Sequence, residues 1–194
     1  SKPLLGTLFS PVVTASSSMA ASYGPDKIIY GFIPVTFWQA TDTDSTPCIT
    51  VEFNKMMTAA RILIAGNGNS ADPKFVTSFS VETSTNGIKW EEQPDGYSQT
   101  NIFNGNYDAF TPYSAILATS PLFTVMKIYP KTWHGAPAMR LQIFGCQFIS
   151  PFTCNDAARP SISVPGSSDF NPPCHRSFTV IMRHEDPSVT FKRS

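Results

Sequence analysis

Short apolar segments recur along the chain between residues 12 and 144, and segments rich in turn-forming residues separate them. Within the apolar segments, hydrophobic and polar positions alternate with a period of two, which predicts β-strands. Residues 77–83 are the clearest case, because the odd-numbered positions hold Thr, Phe and Val whereas the even-numbered positions hold Ser and Glu. Further strands are predicted over residues 49–53, 60–64, 125–129 and 139–144. No segment shows an amphipathic helix of more than about three turns, so the sequence predicts an all-β protein.

Asn86 and Gly87 directly follow the alternating segment. Both residue types tolerate a positive φ, so the pair predicts a tight hairpin turn that returns the chain into residues 88–90. Polar loops rich in Gly, Pro, Asn and Ser separate the other strands, over residues 16–25, 41–47, 66–73 and 131–137. A sandwich presents such loops at its ends, where binding residues often lie.

The composition fits one domain with a tail, because a chain of 194 residues can bury a core of useful size. Aromatic residues make up 12% of the chain, and 17 Pro and 11 Gly add frequent breaks, as is typical of all-β proteins. The 14 Lys and Arg equal the 14 Asp and Glu, and no basic run occurs. This composition excludes the electrostatic footprint of a nucleic-acid binder and argues against strong attraction to anionic lipid.

The four cysteines bear on the compartment in which the protein works. They include no Cys-x-x-Cys pair, which disfavours a zinc ribbon and favours disulfides in an oxidising compartment. The sequence therefore predicts a protein that is secreted or lies on the extracellular face of the cell surface. Reduced, buried thiols in a cytosolic protein remain the alternative.

The amino-acid composition of the chain changes near residue 148. Pro, Ser, Asn and Asp dominate residues 150–173, and two alternating segments follow at 178–182 and 189–191. We therefore expect a domain over residues 1–148, followed by a C-terminal extension over residues 149–194 that consists of an irregular arm and a β-hairpin.

Eight blocks of residues follow one another in an order that is typical of a known family. The blocks are Val13-Thr14-Ala15-Ser16-Ser17, Phe37-Trp38-Gln39-Ala40, Ile49-Thr50-Val51-Glu52-Phe53, Phe75-Val76-Thr77-Ser78-Phe79, Gly87-Ile88-Lys89-Trp90, Ile102-Phe103-Asn104-Gly105-Asn106, Ile128-Tyr129-Pro130-Lys131-Thr132-Trp133 and Met139-Arg140-Leu141-Gln142-Ile143-Phe144-Gly145-Cys146. Through these blocks the chain resembles the discoidin domain, also called the coagulation factor V/VIII C-type domain. The last two blocks are the most specific.

This resemblance implies a distorted jelly-roll β-sandwich of about eight main strands. It also implies that loops at one end carry recognition of lipid head groups, glycans, collagen or protein partners. By position these are the first loop (18–24), the second loop (41–46), the third loop (66–72) and a fourth wall (132–136).

The chain departs from the family pattern at two cysteine positions. Cys48 stands where the family usually has a Trp that opens a strand, so aromatic packing near the second loop is lost. The family also joins an N-terminal Cys to the Cys of the Gly-Cys block, which is Cys146 here. Residues 1–6 resemble those just after that first Cys, so the partner lies one step before Ser1 or is absent. If it is absent, Cys146 is expected to pair with Cys154 or Cys174.

Nine residues at the loop end are the candidates for ligand binding: Met19, Tyr23, Asp42, Asp44, Asn67, Asn69, Asp72, Trp133 and His134. Only Met19 and Tyr23 could insert into a membrane, and the third loop has no aromatic or basic residue, so lipid binding is disfavoured. A glycan site needs hydrogen-bonding groups beside an aromatic platform, which Trp133 and His134 could form with the loop acids and amides. A purely structural Trp and simple Asn-Gly turns are the alternative interpretation.

Calcium is the other ligand that these loops suggest. Five of the nine residues offer the oxygen ligands that Ca²⁺ prefers, but such a site needs 6 to 8 oxygens and no EF-hand-like spacing occurs. The simpler interpretation is a set of solvated loop side chains, so no cofactor is predicted.

The broadest hypothesis is a non-catalytic adhesion module that recognises an extracellular protein as part of a larger multidomain protein. Tyr23, Trp133 and His134 would anchor the partner, since aromatic residues are enriched at binding hot spots. Recognition of a cell-surface glycan is the alternative, and a concave pocket instead of a flat surface would favour it. An enzyme is disfavoured because no Gly-x-Ser-x-Gly, His-Glu-x-x-His or phosphate-binding glycine loop occurs.

Overall fold

A computed structural model of the chain describes residues 2–6, 8–31 and 35–149. Its strands are β1 (Lys2–Pro3), β2 (Val12–Ala15), β3 (Trp38–Gln39), β4 (Ile49–Ala65), β5 (Phe75–Ser84), β6 (Glu91–Glu92), β7 (Phe103–Asn104), β8 (Tyr113–Ile116), β9 (Leu122–His134) and β10 (Ala138–Gln147). Two short 3₁₀ helices cover Ala21–Tyr23 and Pro25–Lys27. All strand pairings between these elements are antiparallel. The predicted all-β class is confirmed.

The seventeen-residue strand β4 lies at the centre of the architecture. Its first part, residues 49–52, lies between β2 and β9, whereas residues 61–64 lie between β10 and β8. The main path of the sheet runs β1-β10-β4-β9-β5-β6. Buried side chains from β10, β4, β9 and β5 belong to one hydrophobic cluster, so these strands enclose a single core.

The strands predicted over residues 49–53 and 60–64 are confirmed, but they are parts of one continuous strand, β4. Asn54 and Lys55 are exposed and polar, and in the sequence they resemble a turn. In the structure the backbone stays extended, and the pairing with β9 shifts its register between Glu52 and Met57. Four residues of β4 stand opposite one residue of β9 in this interval, and β4 continues through it.

The predicted tight hairpin after β5 is wrong. The returning strand is β6, and residues 88–90 form part of a wider loop. The side-chain oxygen of Asn86 accepts hydrogen bonds from the backbone N–H groups of Ile88 (2.9 Å) and Lys89 (3.1 Å), while Gly87 adopts a φ of +73°. Asn86 thus caps its own loop, as Asn commonly does in turns.

Two side chains of the family blocks, Trp38 and Arg140, hold the loop end onto the strands. The fully buried indole of Trp38 donates a hydrogen bond from Nε1 to the carbonyl of Ser17 (2.9 Å). Arg140 donates from Nε to the carbonyl of Gly66 (2.6 Å) and from a terminal nitrogen to the carbonyl of Ala109 (3.3 Å). The core strands therefore fix the backbone of the first and third loops.

The first and last strands of the domain lie side by side, because Lys2 is opposite Gly145 in the register of β1 and β10. The next residue of β10, Cys146, has an exposed thiol that lies 3.2 Å from the hydroxyl of Thr58. Cys154 and Cys174 lie outside the described residues, as does nearly all of the expected extension 149–194 with its hairpin. The disulfide pairings and the domain boundary therefore stay predictions.

Candidate ligand-binding site

The carboxylate of Asp44 joins the first loop to the second. It accepts hydrogen bonds from the hydroxyls of Ser16 and Ser17, both at 2.6 Å, and from the backbone N–H of Thr46 at 3.0 Å. The two serine hydrogen bonds, more than the backbone one, hold the pKa of Asp44 below its usual value. Asp44 was predicted to contact a ligand, but its carboxylate already accepts three hydrogen bonds, and these bonds hold the two loops together.

The first loop exposes one of its two candidate residues. Met19 is 51% exposed, although its backbone N–H donates to the carbonyl of Gln39 and its sulfur lies 2.8 Å from the Gln39 amide nitrogen. Tyr23 is half-buried and packs its ring on Phe37, with 5.0 Å between the ring centroids. Of the two, Met19 presents the larger free apolar surface.

Polar side chains of the third loop mainly hold the loop itself together. The buried side chain of Asn67 accepts from the backbone N–H groups of Asn69 and Lys74, both at 3.2 Å, and donates to the carbonyl of Asp72 at 2.8 Å. Asn69 accepts from the N–H of Ala71, and Asp72 forms an ion pair with Lys74 at 2.7 Å. These contacts are those of a self-stabilised turn.

No group of three or more His, Cys, Asp or Glu side chains in the described ranges is arranged to hold a metal ion. The absence of a cofactor nevertheless stays a prediction. In the same ranges, no helix is both long and apolar enough to cross a bilayer.

The predicted fourth wall belongs largely to a strand. Strand β9 extends to His134, and the chain turns only at Gly135, whose φ is +70°. His134 stacks on Phe75, with centroids 5.0 Å apart and planes at 16°. Trp133 is 39% exposed, so the strand presents a large part of its indole to solvent. A side chain fixed on a strand is better positioned than one on a free loop.

A small concave site, which we call the loop-end cleft, lies between the second loop and the end of β9. Its volume is about 210 Å³, and its walls are formed by Thr41, Asp42, Asp44, Trp133, Gly135, Ala136 and Pro137. The carboxylate of Asp42 is exposed and makes no hydrogen bond or ion pair within the described part of the chain. The cleft thus combines one aromatic wall with one carboxylate that is available to a ligand.

A second concave site, which we call the side cleft, lies on the other side of the second loop. Its volume is about 360 Å³, and its walls are formed by Ser45, Thr46, Pro47, Ser80, Glu82, Glu92, Tyr129, Pro130, Lys131 and Trp133. Within it, the hydroxyl of Tyr129 donates to Glu82 at 3.1 Å. Burial is the main reason why the pKa of Tyr129 is strongly raised.

Cys48 adjoins the side cleft. It directly precedes Ile49, which pairs with Ile128, so it lies beside Tyr129 of that cleft, and its sulfur lies 3.9 Å from the hydroxyl of Thr50. Burial raises the pKa of the Cys48 thiol, which keeps it protonated and unreactive.

The structure brings together three of the nine predicted residues, Asp42, Asp44 and Trp133, in one cleft. The other six line neither cleft: Met19, Tyr23, Asn67, Asn69, Asp72 and His134. The side cleft was missed by sequence reasoning, although its outward-facing residues follow the period of two along β5 and β9. In β9 this pattern reads Tyr129, Lys131 and Trp133.

An antiparallel β-sandwich that presents shaped loops and shallow clefts at one end has the architecture of a binding module. Residues 12–143 match the family model of the F5/8 type C domain, and the chain belongs to this family. The sequence-based resemblance is therefore confirmed. The domain is a binding module.

Among curated proteins, the chain is 22% identical over 149 residues to the human EGF-like repeat and discoidin I-like domain-containing protein 3. The match covers 73% of this chain and 31% of that protein, so the chain spans about a third of its relative. Discoidin II from Dictyostelium discoideum has a similar fold, with a TM-score of 0.62 at 16% identity over 73% of this chain and 57% of that one. CpGH89CBM32-5 from Clostridium perfringens, solved with GalNAc-β-1,3-galactose, has a TM-score of 0.56 at 15% identity over 69% and 94% of the two chains.

Proposed function

We propose that the domain is a non-catalytic extracellular glycan-binding module that holds a sugar residue in the loop-end cleft against Trp133. The observation that carries the proposal is the exposed indole at the wall of a concave site. A protein partner is expected to favour a flat surface, whereas this site is a cleft of about 210 Å³. That volume is below the range of about 300–1,000 Å³ that is typical for drug-sized ligands and suits a single small ring.

The chemistry of the loop-end cleft suits a sugar. An indole face packs against the C–H groups of a pyranose, because it is large, flat and apolar. The carboxylate of Asp42 can accept hydrogen bonds from sugar hydroxyls, and charged acceptors form stronger hydrogen bonds than neutral ones. The C. perfringens module with a bound disaccharide supports the proposal only as an example of this fold holding a sugar.

An extracellular location is part of the proposal. The relative named above carries EGF-like repeats, and EGF modules are small disulfide-rich domains of secreted and cell-surface proteins. A ligand on the cell surface would be accessible to a domain in that location.

A protein partner is the second candidate, and one observation favours it. Met19, Val35 and Phe110 are each 51% exposed. Val35 adjoins the third loop, since a side chain at Gly68 would come within 3.3 Å of its Cγ1 atom. Exposed apolar residues near binding loops can mark a protein interface.

Screening the full chain on a glycan array, followed by calorimetric titration of the sugars that bind, tests the proposal. Trp133→Ala should weaken binding by about tenfold or more, which corresponds to about 1.4 kcal/mol, and Asp42→Asn should weaken it less. Met19→Ala is the matched control, because it removes an exposed apolar side chain outside the cleft. Trp133→Phe keeps an aromatic wall and should retain part of the affinity even if the Ala variant is destabilised.

Two results would overturn the glycan proposal. One is full sugar binding by Trp133→Ala. The other is an absence of array hits combined with capture of a protein that Met19→Ala abolishes, and this result would support the second candidate.

A further inference from the structure

We propose that the side cleft is a second subsite for the same ligand, so that the domain binds a neutral oligosaccharide of at least two residues across Trp133. This inference rests on the proposed function, and it adds the length and the charge class of the ligand. Its basis is the geometry of the two clefts, the polar groups of the side cleft and the charge of the residues that line both.

The two clefts adjoin one another. Trp133 contributes to the walls of both. The second loop also lines both, since Thr41, Asp42 and Asp44 face the loop-end cleft and residues 45–47 face the side cleft. A ligand bound against the indole in one cleft is therefore positioned to continue into the other. Because a single sugar ring fills only one cleft, the combined site fits a chain of sugars.

A small residue, Cys48, lies beside the side cleft. Cys48 directly precedes Ile49, whose partner in the register is Ile128, so Cys48 lies beside Tyr129. Tyr129 lines the cleft, so we expect an indole at residue 48 to extend into it.

The polar groups of the side cleft suit a hydroxylated ligand. Ser45 and Thr46 are exposed and offer hydroxyls that both donate and accept. Lys131 is also exposed and offers an ammonium donor, although it lies 5.2 Å above the ring of Tyr129. Pro47 adds an apolar surface. A mixed wall of this kind recognises the alternating hydroxyl and C–H faces of a sugar.

The charges around the two clefts define the class of sugar. Four carboxylates line them (Asp42, Asp44, Glu82 and Glu92), against the single ammonium of Lys131. Lys127, the β9 residue opposite Glu82, lies 4.1 Å above the ring of Trp90 and lines neither cleft. A sialylated, sulfated or uronic ligand would meet net repulsion, because like charges in a confined site are unfavourable.

Calorimetric titration with matched sugar series tests the inference. The probes are N-acetylglucosamine and its β-1,4-linked oligomers, glucose and its β-1,4-linked oligomers, and GalNAc-β-1,3-galactose with its two monosaccharides. For the series that binds, the disaccharide should bind about tenfold or more tightly than its better monosaccharide. A sulfated or sialylated form of the same oligosaccharide should bind more weakly than the neutral form, and more so at low salt.

Cys48→Trp is the decisive variant, because the indole should fill the side cleft. It should reduce oligosaccharide affinity to the monosaccharide level and leave monosaccharide binding unchanged. Cys48→Ala, which keeps the cleft open, is the matched control and should keep the gain with length. Ser45→Tyr blocks the same cleft from an exposed position, so it provides the test if Cys48→Trp fails to fold.

The outcomes separate this inference from the proposed function. If no sugar binds, both are wrong. If a monosaccharide binds at Trp133 and longer sugars bind no better, only the second subsite is refuted. Retention of the gain with length by folded Cys48→Trp or Ser45→Tyr would refute it as well.

Discussion

Asp44 provides a quantitative test of how the two loops beside the clefts are held. Asp44→Asn keeps the shape of the side chain but removes the charge that accepts from Ser16, Ser17 and Thr46. Hydrogen bonds to a charged group contribute about 1.5–3 kcal/mol each when buried, and this partly exposed carboxylate justifies a strong discount for solvent. We expect a loss of about 1–2 kcal/mol in the free energy of unfolding at pH 7. For a domain of this size the loss corresponds to a fall in Tm of about 2–8 °C.

The effect of Asp44→Asn should depend on pH in a defined direction. The folded-state pKa of Asp44 is lowered, so its stabilisation is fully present above the ordinary aspartate value of about 3.9 and is lost as the pH falls through the folded pKa. Urea unfolding of the wild-type and variant chains should therefore differ at pH 7 and converge in acid. Asp42→Asn is the matched control and should not change stability. Equal stability at pH 7, or a difference that persists unchanged below the folded pKa, would refute this account of the loops.

Three further predictions concern backbone contacts and the buried thiol. Arg140→Lys should lower the free energy of unfolding by about 2 kcal/mol, because Lys cannot donate to the carbonyls of Gly66 and Ala109 at once. A change below experimental error would contradict the role of Arg140 in holding these loops. Gly145→Ala should prevent stable folding, because a Cβ atom would lie 1.8 Å from the carbonyl oxygen of Thr58, whereas Gly87→Ala meets open space and should cost only about 1 kcal/mol of backbone strain. Unfolding curves that rank these two variants in the opposite order would be inconsistent with the packing of β10. The thiol of Cys48 should resist iodoacetamide at pH 8 until urea unfolds the chain, as peptide mass spectrometry can measure, and rapid labelling of the native protein would show that it is not buried.

Strand positions could be predicted from the sequence wherever one face of a strand is buried. Residues 77–83 lie within β5, and the segments at 125–129 and 139–144 lie within β9 and β10. The predicted strand boundaries were wrong where polar, exposed residues adopt an extended backbone conformation. Asn54 and Lys55 are polar because that part of β4 faces solvent, and a local pattern cannot distinguish an exposed part of a strand from a turn.

The candidate site could be predicted only in part, because residue type does not reveal which side chains are already engaged. Trp133 and Asp42 were found from the aromatic and acidic character of their loops. Asp44 and Asn67 are also polar loop residues, but their side chains are already hydrogen-bonded within the protein. Asp44 bonds to Ser16 of the neighbouring loop, and Asn67 bonds to Asp72 within its own loop. The side cleft is lined by residues of the second loop and of β5, β6 and β9, which come together only through three-dimensional packing.

The pairing of β1 with β10 has a consequence for how the domain can be transferred between proteins. Lys2 and Gly145 are neighbours in the sheet, so the chain enters and leaves at one point on the surface. Such a domain can be inserted into a loop of another protein, because the two ends of that loop need not move apart to accommodate it. The same geometry allows circular permutation: a short linker could join the two ends, and new termini could be opened in the exposed loop between β5 and β6 without breaking any ladder of the sheet.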